Sequence, residues 1–538
     1  MPIPINIPAA KNILKVLQQM GVQEFIVCAG ARNAPFVELF AHNEHLKVWT
    51  FFEERSAGFF ALGRIKVTKK PVVVCTTSGT AVANLLPAVI EAHYTELPLI
   101  VLSCDRPKSY RGSGAPQAIE QDVLFGHYPV EAWDLEAEQA RTFILDGFVN
   151  RRGPWHINVC FDEPLVDFQT EEEKKIERLC LVSGSIEENL SLKPKPLFPN
   201  IGKMQSTLVL LSDIEDSDRM LVKKFLLTLQ APIWAEPTSG LREDPELQPY
   251  IIKSGELILK KLSLVKELFD SVIRIGGVPV CRFWRDLEST YKDLPVVNFS
   301  HREFVGLARG GHFHLEIDQL EDFPIDSQGH YSQADFLKID QSLFYKINEL
   351  YEQFPQSECS FIHHISKMLP KQSQVFLANS LPIREWHLCA THSQNNYQYF
   401  SNRGANGIDG LVSTSVALCQ PSRPTFSFLG DLSTMYDLSG LWPLANAQNR
   451  APCLGDYTLF IINNGGGKIF ERIFKPSLFQ NPHSQQFAGW AKFWNINFNR
   501  IDSLSQLVHL QVGHQIIELC PDGVQSLDFW KNYESLDI

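Results

Sequence analysis

Short β-branched apolar runs recur along this chain with helix-like stretches between them, and that alternation restricts the fold more than any other feature. In the first third the runs are "EFIVCAG" (24–30), "PVVVCTTSG" (71–79) and "LPLIVLSCD" (97–105). Between the last two lies "TAVANLLPAVIEAHYTE" (80–96), whose apolar residues have helical spacing. A strand that is apolar along its whole length is buried on both faces, as in a parallel sheet covered by helices. The pattern returns at "TLVLLSD" (207–213), "APIWAEP" (231–237), "SVIRIGG" (271–277) and "LPVVNFS" (294–300), and again at "QVFLANS" (374–380), "PTFSFLGD" (424–431) and "YTLFIINNG" (457–465). The predicted class is α/β, with three doubly wound parallel-sheet domains at 1–188, 200–350 and 355–538. A length of 538 residues suits about three domains. A proline- and lysine-rich linker is expected at 189–203 and a second near 351–360. The central domain has no G-x-G-x-x-G, so no dinucleotide site is expected there.

Composition narrows the function. Hydrophobic residues make up 44% and charged residues 20%, enough for sizeable cores. The formal charge of −12 argues against a nucleic-acid binder. It also means that an anionic ligand must be held by local arginines, because the overall field repels it. The 11 cysteines are dispersed, with no C-x-x-C, which suits reduced thiols in the cytoplasm. The N-terminus lacks a secretory pattern, and no apolar run approaches the ~20 residues needed to cross a bilayer. A soluble cytoplasmic protein without membrane insertion is expected.

Two strand ends carry the chemistry. "SFLGDLS" (427–433) is an apolar run that stops on Gly430 and presents Asp431, followed by Leu432 and Ser433. About one βαβ crossover later, "LFII" ends in Asn463-Asn464-Gly465-Gly466-Gly467. In open parallel sheets ligands bind beyond the carboxyl ends of the strands. Asp431 would offer a carboxylate, Asn464 an amide oxygen and Gly466 a backbone carbonyl, the oxygen set a hard divalent cation such as Mg²⁺ or Mn²⁺ takes. The glycines allow close approach of the backbone to a diphosphate. Taken singly, Asp431 reads equally well as a helix cap and Asn-Gly as a turn. Together, at two strand ends, they point to a diphosphate–metal site.

"GDLS…NNGGG" resembles the signature of thiamine-diphosphate enzymes, with Leu432 where a third-position glycine is usual. The resemblance implies a remote glutamate that hydrogen-bonds the cofactor's pyrimidine ring. "VWTFFEERSAGFFALGRIK" (48–66) supplies Glu54, with Glu53 pointing elsewhere. The competing reading of Glu54 is a first-turn acid favoured by the helix dipole. Further blocks narrow the likeness: "TTSGTAVANLLPAVIEAHYTELPLIVLSCDRP" (76–107), "GAPQAI" (114–119), "NSLPIRE" (379–385), "SNRGANGIDGLVST" (401–414) and "NNGGGKIF" (463–470). They are similar to the 2-succinyl-5-enolpyruvyl-6-hydroxy-3-cyclohexene-1-carboxylate synthases. That family implies decarboxylation of 2-oxoglutarate and 1,4-addition of the succinyl fragment to isochorismate, in menaquinone biosynthesis. The alternatives are another thiamine-diphosphate 2-oxoacid decarboxylase, an acetolactate-type synthase, or, less favoured, a non-catalytic relic.

Both substrates are carboxylates, so the resemblance implies an arginine ring, since a guanidinium grips a carboxylate bidentately. Arg32, Arg106, Arg384 and Arg403 lie in the matched blocks. It further implies Gln117 as a polar contact near the reacting centre, Ser380 on the substrate, and Gly407 with Ile408 beneath the cofactor. Ser78 and Gly79 would face the cofactor or cap a helix. Ile469 and Phe470 would line the substrate channel or, like Ile408, belong to ordinary core. Three departures fall on the substrate side: Ala31 and Pro116 stand where serine and asparagine are usual, and Cys281 stands for a lysine, leaving Arg282 as a substitute. Because Glu54 lies in the first domain and Asp431 in the last, a homodimer or homotetramer with shared sites is implied.

Overall fold

The apolar runs form three wholly parallel sheets. This computed structural model describes residues 5–145, 152–167, 175–176, 204, 206–261, 268–325, 334–446, 454–471, 473–507, 510 and 512–537. The first sheet contains β1 (Glu24–Cys28), β2 (Lys47–Phe51), β3 (Val72–Thr76), β4 (Leu99–Asp105), β5 (Glu131–Glu136) and β6 (Trp155–Cys160), in the order β2-β1-β3-β4-β6-β5. The second contains β7 (Thr207–Leu211), β8 (Ile233–Ala235), β9 (Ser271–Ile275), β10 (Val296–Phe299) and β11 (His312–Leu315), in the order β11-β10-β9-β7-β8. The third contains β12 (Gln374–Leu377), β13 (Gln398–Phe400), β14 (Thr425–Gly430), β15 (Tyr457–Ile462), β16 (Asn497–Ile501) and β17 (His514–Leu519), in the order β13-β12-β14-β15-β17-β16. Counted from its own first strand, the third sheet repeats the order of the first. Each sheet therefore has a switch point, at β1/β3 and at β12/β14, where adjacent connections leave in opposite directions and a crevice opens.

The strands β1, β3, β4, β9 and β15 are buried along their whole length, as their continuous apolar runs require. The linker expected at 189–203 lies outside the described residues. The second expected linker is a correction. Residues 351–360 hold the end of a helix, Ala334–Gln353, and the start of another, Glu358–Met368. Pro355 lacks the N–H needed to continue the first helix. Ser357 caps the second, its hydroxyl accepting from Ser360 N at 3.2 Å.

The first and third sheets meet through two crossing helices, Glu54–Thr68 and Leu411–Ala417. A side chain at Gly63 would sit 2.3 Å from Thr414 O and 2.5 Å from Ala417 Cβ, so only glycine lets the helices approach this closely. Arg64 donates to Ala417 O at 2.9 Å while bonding both oxygens of buried Glu24 at 2.8 Å. One apolar core runs from Ile26 and Val74 through Phe59, Phe60 and Leu411 to Phe376 and Ile461. A second joins the second and third sheets through Ile362, Ile383 and Trp386. Among the described residues no helix is long and apolar enough to cross a membrane.

Glu53 is the N-cap of the helix that begins at Glu54. Its carboxylate accepts from Arg55 N and Ser56 N at 3.0 Å and from Ser439 Oγ at 2.9 Å. Ser56 Oγ also lies 3.0 Å from Asp437, which accepts from Ser413 N at 2.7 Å. Burial pushes the Asp437 carboxyl from its ordinary 3.8 up to about 6, against the hydrogen bonds from Ser413 and Ser56. The folded state thus binds this proton more tightly than the unfolded chain. Stability from this group is highest below pH 3.8 and falls as pH rises to about 6. The gap between those values corresponds to about 3 kcal/mol. Asp437→Asn removes that slope, and thermal melts of both proteins across the window will show the wild type alone losing stability from this source.

Candidate active site

β14 and β15 pair with Gly430 opposite Ile462, so Asp431 and the Asn463-Asn464 pair leave the sheet side by side. Asp431 opens a short helix, Asp431–Met435, and is also 2% exposed at the floor of a cavity. Its Oδ1 accepts from Leu432 N at 2.6 Å, and its Oδ2 from Gly465 N at 2.9 Å and Gly466 N at 3.0 Å. His483 Nε2 lies 3.2 Å from the same Oδ2. Burial raises the Asp431 carboxyl above the ordinary range, opposed by those N–H groups and His483. Asn464 donates through Nδ2 to both oxygens of Glu358, at 3.0 and 3.3 Å. Its Oδ1 is buried and has no hydrogen-bond partner among the described residues. Gly466 has φ +141°, and a side chain there would meet Gln480 O at 2.5 Å, so the position admits only glycine. An orphaned amide oxygen, a carboxylate and bare glycine backbone form a donor set that fits an oxygen-liganded divalent cation and a diphosphate.

This end of the third sheet opens into a cavity of about 2060 Å³, which Asp431, Leu432, Ser433, Asn464 and Gly466 line on one side. Ser380, Arg384, Arg403, Ile408, Ile469 and Phe470 line it further out, and Val280, Cys281, Arg282 and Arg302 close it from the second domain. Gly407 is exposed and not among the lining residues, its carbonyl accepting from Asn379 Nδ2 at 2.7 Å. Arg384 donates to Ser380 O at 2.6 Å and Arg403 to Asn379 Oδ1 at 3.1 Å. Neither forms an ion pair with a carboxylate among the described residues, and Arg403 Nε is buried without a partner. Burial lowers both guanidinium pKa values. Two half-buried cations without a direct carboxylate partner among the described residues, facing one cavity, suit an anionic ligand, although Glu236 lies near enough to act on both. Ser380 has φ +74°, a strained backbone for a residue with a side chain, at the C-terminal end of β12.

The remaining predicted residues gather at the corresponding end of the first sheet, and none of them lines this cavity. Gly79 (φ +86°) donates to Gln121 Oε1 at 2.8 Å, and Gln117 packs so closely on it that an added Cβ would lie 3.1 Å from Gln117 Cα. Gln117 is itself in the left-handed region, with φ +57°. Arg106 Nε donates to Pro116 O at 3.0 Å, which holds the Gln117 loop over the strand ends. Ser78 is buried beside them. Arg32 donates to Phe161 O at 3.0 Å and pairs with Glu163 at 3.6 Å, so its charge is partly matched within the chain. Glu54 is half-buried, and its carboxyl is raised by burial and by neighbouring Glu53, against hydrogen bonds from its own backbone and Asn84.

Residues 8–124 match the family described as thiamine pyrophosphate enzyme, N-terminal TPP binding domain. The chain is 40% identical to the 2-succinyl-5-enolpyruvyl-6-hydroxy-3-cyclohexene-1-carboxylate synthase of Bdellovibrio bacteriovorus over 99% of both. The chain belongs to this synthase family. The synthase of Akkermansia muciniphila is 33% identical over 97% of this chain and 98% of its own, and that of Trichodesmium erythraeum 29% over 99% and 98%. As a member of the thiamine-diphosphate synthases, the chain has its cofactor-binding class and its three-sheet architecture accounted for together.

Against that family background the departures take on a shape. Pro116 loses a side-chain amide, but its carbonyl still anchors Arg106. Cys281 is 1% exposed and stands as N-cap of the helix Arg282–Asp286. Arg282, the expected substitute for a missing lysine, lines the cavity with its side chain 69% exposed and its Nε bonded to Asp286 at 2.8 Å. Sequence reasoning missed Glu358, His483, Asn379 and Glu91. Glu91 accepts from Gly404 N at 2.9 Å and Ala405 N at 2.7 Å and so positions the loop carrying Arg403. In the sequence it is one acid inside an amphipathic helix, with no signal that its partner lies in the third domain.

Proposed function

We propose that this synthase decarboxylates 2-oxoglutarate and adds the succinyl fragment to isochorismate, with thiamine diphosphate and Mg²⁺ or Mn²⁺. The observation that carries the substrate class is the pair of arginines, Arg384 and Arg403, which make no direct carboxylate pair among the described residues and stand on the wall that also holds Asp431 and Asn464. Bound thiamine diphosphate supplies a nucleophilic carbon and an electron sink for decarboxylation. Asp431, Asn464 Oδ1 and the Gly466 carbonyl would hold the cation that bridges the protein to its diphosphate. Ile408, 36% exposed on the cavity wall, would support the cofactor from beneath. Arg384 and Arg403 bind and orient carboxylates, while Ile469 and Phe470 exclude water above them. Glu54 holds a proton at the cofactor's pyrimidine ring.

Glu54, Gln117, Arg32 and Arg106 lie outside the cavity of their own chain. This supports a site completed by the first domain of a second copy, in a homodimer or homotetramer. The dispersed free thiols suit the cytoplasm.

The test supplies purified protein with 2-oxoglutarate, isochorismate, thiamine diphosphate and Mg²⁺ and follows isochorismate absorbance. Isochorismate consumption is expected. Decarboxylation of 2-oxoglutarate without it would favour the simple decarboxylase reading. Arg403→Ala and Arg384→Ala should each lower kcat/KM by about 10- to 100-fold, the worth of a charged hydrogen bond of about 1.5–3 kcal/mol. Unchanged cofactor binding in both variants would locate the loss on the substrate side.

A further inference from the structure

Asn464 is a ligand candidate only if its oxygen faces the cation, and a primary amide can present either end. What decides between the ends is Glu358, the first residue of the helix Glu358–Met368, 5% exposed and 106 positions away in sequence. A carboxylate presents acceptors, so it must be met by the amide nitrogen. Both Glu358 oxygens take Asn464 Nδ2, at 3.0 and 3.3 Å. The amide oxygen is thereby turned away from Glu358 and left buried without a hydrogen-bond partner among the described residues.

Glu358 is itself held from two sides. Its backbone N–H donates to Ser526 Oγ at 3.0 Å, and its carboxyl lies beside that of fully buried Glu385. Glu385 precedes Trp386 on the helix Leu381–Cys389, which also carries Arg384. A buried carboxyl pair is a costly arrangement, and packing alone gives no reason for it.

We propose that Glu358 is the positioning residue of the cation site. It sets the orientation of the Asn464 amide so that Oδ1 stands ready beside Asp431 before any ligand arrives. This rests on the cation-site reading above and names a residue that reading does not use. Partners behind a metal ligand typically alter metal affinity by about 10- to 100-fold when removed.

The test titrates Mg²⁺ into full-length protein at saturating thiamine diphosphate, reading affinity by calorimetry and by tryptophan fluorescence, with melting of the cofactor-free protein alongside. Glu358→Met keeps the volume and removes the acceptor, and it should weaken Mg²⁺ binding by about 10- to 100-fold. Glu358→Gln can turn its own carbonyl toward Asn464 Nδ2 and should restore near-wild-type affinity. If Glu358→Met fails to fold, Glu358→Asp withdraws the acceptor by one methylene and carries the same expectation as the Met variant. Wild-type affinity in a folded Met variant, or in the Asp variant if Met does not fold, overturns the inference, and so does a loss in Gln as large as that in Met. A wild type that binds no Mg²⁺ with thiamine diphosphate refutes the cation-site reading itself, which separates the two failures.

Discussion

Asp431→Ala gives a protein that folds but no longer gains thermal stability from thiamine diphosphate and Mg²⁺. A ligand that binds only the native state at about 100 times its Kd stabilises it by about 2.7 kcal/mol. The wild type should show that gain as a raised melting temperature, and the variant should show none. The physical reason is that Asp431 brings the carboxylate of the predicted donor set, and Mg²⁺ commonly relies on one or two carboxylates. Two local terms oppose each other in the cofactor-free protein. Removing a buried carboxyl whose pKa is raised relieves desolvation. It also leaves the N–H groups of Leu432, Gly465 and Gly466 without their acceptor. The melting temperature without cofactor should therefore move less than the cofactor-induced shift. A cofactor response of wild-type size in Asp431→Ala would refute the diphosphate–cation assignment.

Glu54→Gln should separate binding from catalysis. Glutamine keeps the size and a hydrogen-bonding end but cannot hold a transferable proton. Loss of general acid–base assistance costs about 10²- to 10⁴-fold in rate. The cofactor-induced thermal shift should remain, because the cation donors lie in another domain. If Glu54 were only a first-turn acid, the change would touch stability by about 0.3–1 kcal/mol and leave kcat alone. Its neighbour sharpens the contrast: Glu53 already caps the helix, so that structural task is filled. Because Glu54 does not line the cavity of its own chain, mixed oligomers of Glu54→Gln and Asp431→Ala chains should regain activity through one intact shared site. Verified mixed oligomers without any recovery would count against sites built between chains.

The fold was legible wherever burial leaves a mark on composition. Strands buried on both faces are mostly apolar, so β1, β3, β4, β9 and β15 stand out as runs even though each of β1, β4 and β9 holds a buried polar residue such as Glu24, Asp105 or Arg274. The edge strands β5, β13 and β16 did not, because one side meets solvent and polar residues such as Asp134, Gln398 and Asn499 interrupt the pattern. The stretch 351–360 reads as a linker because proline and serine mark linkers and helix boundaries alike. For the candidate site, the strand-end motif points to Asp431, Asn464 and Gly466 and the matched blocks to Arg384, Arg403 and Ser380, all of which line one cavity. The pairing of Arg282 with Asp286 depends on a helix that the sequence does not announce.

The amino-acid sequence by itself determined three parallel sheets, the two loop tips with their oxygen donors, and the family to which they belong. These depend on residue type at short spacing, and such spacing survives in one dimension. Only the tertiary structure decided that Glu358 grips Asn464 from a helix 106 positions away, that Glu91 of the first domain holds the Arg403 loop, and that Glu54 stands outside the cavity of its own chain. Those are contacts between distant segments, set by how sheets and helices stack, and no local pattern of residues records them.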